Sequence, residues 1–552
     1  MTGTNCWLPF RSSGWLWFVH PDWRGPLLRD DGQLRLEQWK AERRLEVVKA
    51  AAHRRVYRVT LPTETVFIKH YPVADWRSLL RQVWRVSKAQ REWEIAQACA
   101  KLQLPTVELL AYGETSRRDS FLVSREFPAA TLDEFLEAHR DDLGRSPALR
   151  THLATQLAQL LARLHDAGLE HLDLHPGNIL AAGTLQHLRL ALIDLYAARL
   201  GPPLSWRHSV RNLLLFSLWF WPRTAQADRW RFLRSYLSAR QYWPSGLPPR
   251  RVDLRYLEAR GWAHYLYHWR RRDHRVFRSH RDQRVLRSGP NRAWVHRCTS
   301  EETAAQWLVS PDSPFTQPDA VFLKRSASAL VAEVSLPMAD GQVRRVIYKR
   351  FRRKLWWQRF YDCFRLSPAR RSWLNAWRLR DALLPTPKPL LLIETKQFGL
   401  PHLAYLAVEK VDGAVDLLAA YQRAAVAHRR QLVRQTARLL RSFHDHGLSH
   451  RDLKAANLLA VRKTNGWDLQ IIDLVGVQRH RRTWPRRCQR DLARLAVSFA
   501  STATPADLAR FLRIYLGPLG RNRATRRSWW QAIAKRVAGK IAQNLRRLRP
   551  LS

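Results

Sequence analysis

Two tracts of the chain alternate in hydropathy around a lysine: VFIKHY at Lys69 and RVIYKRF at Lys349. Period-two alternation predicts half-buried strands carrying an inward lysine. Each is followed by apolar residues at helical spacing, REWEIAQACAKLQLPT and RSWLNAWRLRDALLPT, which align on Trp93 with Trp373 and Leu104 with Leu384. FLVSREF and LAYLAVEKV then read as strands running into polar segments, with Glu126 opposite Glu409. A longer helix follows in each half, HLATQLAQLLARLHDAGLEH and HRRQLVRQTARLLRSFHDHGLSH, stopped by Gly168 and Gly447. The apolar runs LALIDLY and LQIIDLV, ending in Asp194 and Asp473, close the shared order of elements.

Between that helix and that strand lie HLDLHPGNIL at 171–180 and HRDLKAANLL at 450–459. Asp173, Asn178 and Asp194 recur as Asp452, Asn457 and Asp473 at a constant offset of 279 (452−173, 457−178, 473−194). Phosphoryl transfer from a magnesium-bound donor needs one carboxylate beside the acceptor hydroxyl and two further oxygen ligands for the metal. Asp173 and Asp452 suit the first role. Asn178 with Asp194, and Asn457 with Asp473, suit the second, because hard magnesium prefers oxygen donors. A single such loop is a weak signal, since Asp and Asn also form ordinary turns. Two copies in register, each before a strand ending in Asp, point to phosphotransfer chemistry. Lys69 and Lys349 would bind donor phosphates as point charges. Glu92 would orient Lys69, whereas Ser372 stands at that place in the second copy. Glu94, the other acid on that helix, faces Leu374. The polar segments at Glu126 and Glu409 would connect two lobes and border an adenine.

The set Lys69, Glu92, Glu126, His171, Asp173, Asn178 and Asp194 resembles the protein-kinase-like fold. Three departures narrow the resemblance. No Gly-x-Gly-x-x-Gly precedes either lysine, where KAAAHRRVYRV and KRSASALVAEV stand instead; the metal-binding Asp is followed by Leu-Tyr or Leu-Val; and no Ala-Pro-Glu follows. With the LPT and IDL phrases and the Arg-rich helices RNLLLFSLWFW with RWRFLRSYL, and RDLARLAVSF with ARFLRIYL, the chain resembles the bacterial lipopolysaccharide kinases of the Kdo/WaaP/InaA group, outside 1–40 and 240–320. The resemblance implies an α+β fold of two tandem bilobal domains, each with a small antiparallel sheet lobe and a larger mainly helical lobe. It also implies ATP and magnesium as cofactors, and γ-phosphate transfer to a Kdo or heptose hydroxyl of lipopolysaccharide core at the cytoplasmic face of the inner membrane. Expected domains are 1–290 and 291–552, with catalytic cores at 45–240 and 320–520 and a break at Gly289-Pro290 or at PDSPFTQPD, 311–319.

Composition adds an anionic partner. Among 552 residues, Lys plus Arg number 95 against 46 Asp plus Glu, a net charge of +49, which imposes a strongly positive surface potential. The 25 tryptophans beside so many arginines suit a headgroup interface. RRKLWWQRFYDCFR at 352–365 and RGWAHYLYHWRRRDHRVFRSHR at 260–281 are such stretches, the second reading equally as a basic linker. Lipopolysaccharide core or another anionic glycolipid, and an anionic membrane surface, are the expected partners. Nucleic acid is the weaker alternative, because no recognised nucleic-acid motif accompanies the basic and aromatic residues. The five cysteines, Cys6, Cys99, Cys298, Cys363 and Cys488, show no zinc spacing, and His444, His446 and His450 read as structural. The longest apolar run, LLLFSLWFWP at 213–222, is about half a membrane span. The N-terminus lacks a signal-peptide pattern, so an intracellular protein, peripheral at the membrane, is expected. Two rival readings stay open: a silent kinase pair acting as a basic membrane or envelope-assembly scaffold, and a protein kinase, whose His-Arg-Asp survives at 450–452.

Overall fold

The computed structural model describes residues 7–51, 54–73, 86–116, 119–244, 251–326, 329–351, 366–397, 400–464, 466–480 and 484–548. The chain divides into two compact units, Met1–Tyr265 and Leu266–Ser552. Each has a small antiparallel sheet lobe followed by a larger, mainly helical lobe, the expected α+β architecture in tandem. The aromatic-basic segment 352–365 lies outside the described residues, as do Cys6 and Cys363.

In the first unit the sheet comprises β1 (Leu8–Ser12), β2 (Trp15–Val19), β3 (Leu45–Ala51), β4 (Arg54–Thr60), β5 (Thr65–Tyr71), β6 (Leu109–Thr115) and β7 (Ser120–Arg125), in the order β1-β2-β6-β7-β5-β4-β3. Alternation sorts its faces. Val66 and Ile68 of β5 are buried with Trp17, Val59 and Val123, which leaves Lys69 and Tyr71 on the opposite face. Strands β1 and β2 come from the stretch that the resemblance leaves out. They extend the sheet because β2 pairs with β6 and buries Trp17, whose indole donates to the Gly32 carbonyl at 2.8 Å.

Helix Lys88–Lys101 packs under this sheet. Ser87 caps it by accepting from the Gln90 amide at 3.1 Å, and Ala89, Trp93, Ala96 and Cys99 form its buried stripe. The LPT phrase after it has a structural task. The Pro105 carbonyl accepts from the Leu192 amide at 2.8 Å, and in the second unit Pro385 accepts from Ile471 at 2.9 Å while the Thr386 hydroxyl donates to the Ile471 carbonyl at 2.8 Å. These bonds tie the end of the helix to the strand that carries the final Asp of each motif. Helix Pro147–Asp166 then descends to the loop of Asp173 and Asn178 and ends at Gly168, whose φ is 81°. A Cβ there would collide with the Gly201 carbonyl, so only glycine fits.

The second unit repeats the plan. Strands Gln283–Ser288, Asn291–His296, Pro389–Gln397, Leu400–Glu409, Val343–Phe351, Ala329–Pro337 and Val321–Arg325 lie side by side in that order. Gly289-Pro290 makes the turn of its first hairpin, with Ser288 paired to Asn291, and Phe315 of the 311–319 tract is buried in its core. Both tracts expected as breaks are therefore internal to this unit. The stretch expected as an interfacial segment or linker forms the end of helix Arg251–Arg272 and the short turn after it, and from Leu266 onward it is part of the second unit. There Asp273 pairs with Arg378 and Arg479 at 2.6 and 2.8 Å, and the Val276 carbonyl accepts from the Trp373 indole at 2.9 Å. No helix among the described residues is long and apolar enough to cross a membrane.

Candidate active sites

Lys69 projects from β5 between two acids. Its Nζ lies 2.6 Å from Glu92 Oε1 on helix Lys88–Lys101 and 2.7 Å from Asp194 Oδ1, two residues beyond the Leu188–Leu192 strand. The Tyr71 hydroxyl donates to Glu92 Oε2 at 3.1 Å and fixes that carboxylate. Burial disfavours the Lys69 ammonium, but Glu92 and Asp194 outweigh it and hold its pKa above the ordinary lysine value. Burial likewise opposes the Asp194 carboxylate, and Lys69 with Arg54 overcomes it, holding that pKa well below the usual range. Arg54 has no counterpart in the sequence expectations. From β4 its Nη1 and Nη2 donate to Asp194 Oδ2 and Oδ1 at 3.0 and 2.8 Å.

The loop of Asp173 and Asn178 is positioned by backbone contacts. The Asp173 amide donates to His171 Nδ1 at 3.2 Å, and His171 Nε2 lies 3.4 Å from the Ile193 carbonyl. Burial pushes the imidazole pKa down, which keeps the ring neutral with Nε2 as donor. Asn178 Nδ2 donates to the Asp173 carbonyl at 2.9 Å, and the Asn178 carbonyl accepts from the Ile193 amide at 3.0 Å. Asp173 itself is 67% exposed, its carboxylate open to an acceptor. With its amide nitrogen committed, Asn178 offers only its side-chain oxygen. With the Asp194 carboxylate, whose oxygens are taken by Lys69 and Arg54, it supplies the hard oxygen donors that a magnesium ion would need.

Behind the loop stands a second tier that sequence reasoning missed. His165 Nδ1 lies 2.7 Å from the Tyr236 hydroxyl and its Nε2 lies 3.2 Å from Asn212 Oδ1, while Asn212 Nδ2 donates to the His171 carbonyl at 2.6 Å. The second unit has His444, Tyr515 and Asp491 at the same 279-residue offset (444−165, 515−236, 491−212). The Tyr515 hydroxyl is 2.8 Å from His444 Nδ1, and Asp491 Oδ2 accepts from the His450 amide at 2.7 Å. The signal was in the helices RNLLLFSL and RDLARLAV, whose Asn212 and Asp491 occupy one position.

The second site is sparser. Among the described residues the acidic partner of Lys349 is Asp473 alone, at 3.1 Å, and Ser372 is buried where Glu92 stands in the first. Asn457 Nδ2 donates to the Asp452 carbonyl at 2.7 Å, the Asn457 carbonyl accepts from the Ile472 amide at 3.0 Å, and Lys454 Nζ lies 3.2 Å from Asp452 Oδ2.

The sheet register corrects one expected equivalence. Leu122 pairs with Lys69 and Leu406 with Lys349, so Glu409 matches Arg125 and the place of Glu126 is taken by Lys410. Arg58 and Glu333 match in the same way, each two residues beyond the partner of the lysine on the neighbouring strand. The result is one latch with inverted charge. Arg58 Nε donates to Glu126 Oε1 at 2.9 Å, whereas Lys410 Nζ donates to Glu333 Oε1 at 2.8 Å.

The family model described as "Lipopolysaccharide kinase (Kdo/WaaP) family" matches residues 37–236 and 333–515. The lipopolysaccharide core heptose(I) kinase WaaP of Pseudomonas aeruginosa is 29% identical over 201 residues, covering 33% of this chain and 73% of that protein. The corresponding kinase of Escherichia coli is 24% identical over 38% of this chain and 80% of its own length. A 3-deoxy-D-manno-octulosonic acid kinase of Stenotrophomonas maltophilia is 37% identical over 89 residues, 16% of this chain and 34% of that protein. A solved structure titled "WaaP in complex with acyl carrier protein" aligns with 45% of this chain and 99% of its own, at 22% identity and a TM-score of 0.33. With its family model matched twice, over more than half of its residues, the chain belongs to the lipopolysaccharide kinase (Kdo/WaaP) family.

Proposed function

We propose that the protein is an ATP- and magnesium-dependent sugar kinase that phosphorylates a Kdo or heptose hydroxyl of lipopolysaccharide core, and that its first unit is the principal catalytic site. The observation that carries this reading is Lys69 held between Glu92 and Asp194, beside a loop that presents Asp173 to solvent. Lys69, fixed by Glu92, holds the donor phosphates; Asp173 aligns the acceptor hydroxyl and takes its proton as the new bond forms. Asn178 and Asp194 in the first unit, and Asn457 and Asp473 in the second, would hold magnesium. When bound, the metal neutralises charge on the donor phosphates. The segments at Glu126 and Lys410 would border the adenine. The net charge of +49 supports an anionic glycolipid acceptor and peripheral docking on the inner face of the cytoplasmic membrane.

Ser372 and the single acidic partner of Lys349 among the described residues favour a second reading for the second unit, that of a weakly active or regulatory copy. The test is transfer of label from γ-labelled ATP with magnesium to purified lipopolysaccharide core. Label in the glycan supports the reading. Label in protein alone favours a protein kinase, and no transfer despite ATP binding favours a scaffold.

A further inference from the structure

The two units treat their final Asp differently. In the first, both Asp194 oxygens are engaged, Oδ1 by Lys69 and by Arg54 Nη2, and Oδ2 by Arg54 Nη1. In the second, Asp473 Oδ1 meets Lys349, its one side-chain partner among the described residues. The register explains the difference. Val56 pairs with Lys69 and Val331 with Lys349, so the residue two positions earlier is Arg54 in one unit and Ala329 in the other. Asp194 is accordingly 18% exposed and Asp473 38%.

A guanidinium fork on a carboxylate makes two charge-assisted bonds in one plane, and arginine does not escape the pairing by losing its proton. The oxygens it covers are those that a divalent cation would take. Resting on the kinase reading above, we propose that Arg54 is a specificity-determining residue, closing the first site to free divalent cation until nucleotide phosphates draw the guanidinium away. The second site has Ala329 at that place, so no such fork covers Asp473 among the described residues.

Manganese(II) titrated into the full chain without nucleotide, with free ion read by electron paramagnetic resonance, tests this. Asp473→Ala isolates the first site, and Arg54→Ala or the less disruptive Arg54→Gln is added to it, with folding checked by thermal melting. Removing the fork is expected to tighten manganese binding at the first site at least about tenfold, the loss of one such paired interaction. The further change Asp194→Ala should abolish the gain. Affinity unchanged within about twofold in both Arg54 variants, while Asp194→Ala still removes the ion, overturns the role of Arg54 and leaves the metal site standing. Binding of manganese and of ATP both indifferent to Asp194→Ala overturns the kinase reading with it.

Discussion

Asp194 and Asp473 have φ of 60° and 54°, left-handed backbone that costs an L-residue about 1–2 kcal/mol. This conformation recurs in both copies at the residue that meets the strand lysine. Lys69 and Asp194 were legible in the sequence because they recur in both copies, and Glu92 from its place on the helix after the lysine, although Ser372 replaces it in the second copy; the structure brings the three together. Arg54 was not legible. It sits in a tract crowded with arginine, and only strand pairing picks it out. His165 carries a pH consequence. Burial lowers its pKa from 6.5 to about 3, opposed by the hydrogen bond with Asn212. A depressed histidine gives stability that is present above its unfolded pKa and lost as pH falls through 6.5 toward 3. Urea unfolding of the first unit is expected to lose on the order of a few kcal/mol across that window, and His165→Gln to flatten the loss. Identical acid slopes would sink this assignment.

At the scale of elements, the repeat was read correctly from lysine strand to helix, then slipped by one residue at Glu126. The offset is 280 from Lys69 to Lys349 but 284 from Leu122 to Leu406, because the hairpin Pro389–Gln397 with Leu400–Glu409 is longer than that of β6 and β7. Sequence periodicity does not locate an insertion inside a turn; ladder pairing does. The inverted latches that result predict a charge swap. Arg58→Glu sets two carboxylates together, and Glu126→Arg sets two guanidinium groups together. The double exchange adopts the polarity that Glu333 and Lys410 already have. Thermal melting is expected to show each single change destabilising and the double change recovering, with coupling of about 0.5–1 kcal/mol given partial exposure. Additive losses in the double variant would contradict the latch.

For the whole molecule, two domains were legible from the duplicated motifs, but the division was not. The break expected at Gly289-Pro290 is a hairpin turn, since turn-forming residues mark hairpins as readily as linkers. The net charge of +49 makes an electrostatic prediction. Sedimentation with phosphatidylglycerol vesicles is expected at low salt and to be lost near 0.5 M salt, where screening acts within a few ångströms. Equal sedimentation with phosphatidylcholine vesicles would contradict it. The central claim, that the first unit performs the transfer, is tested most directly by γ-phosphate incorporation into lipopolysaccharide core with Asp173→Ala and Asp452→Ala. Asp173→Ala is expected to cut transfer by about a hundredfold or more at an unchanged melting temperature, because its exposed carboxylate acts in chemistry and not in packing, while Asp452→Ala keeps most of it. Full turnover in Asp173→Ala would contradict the account.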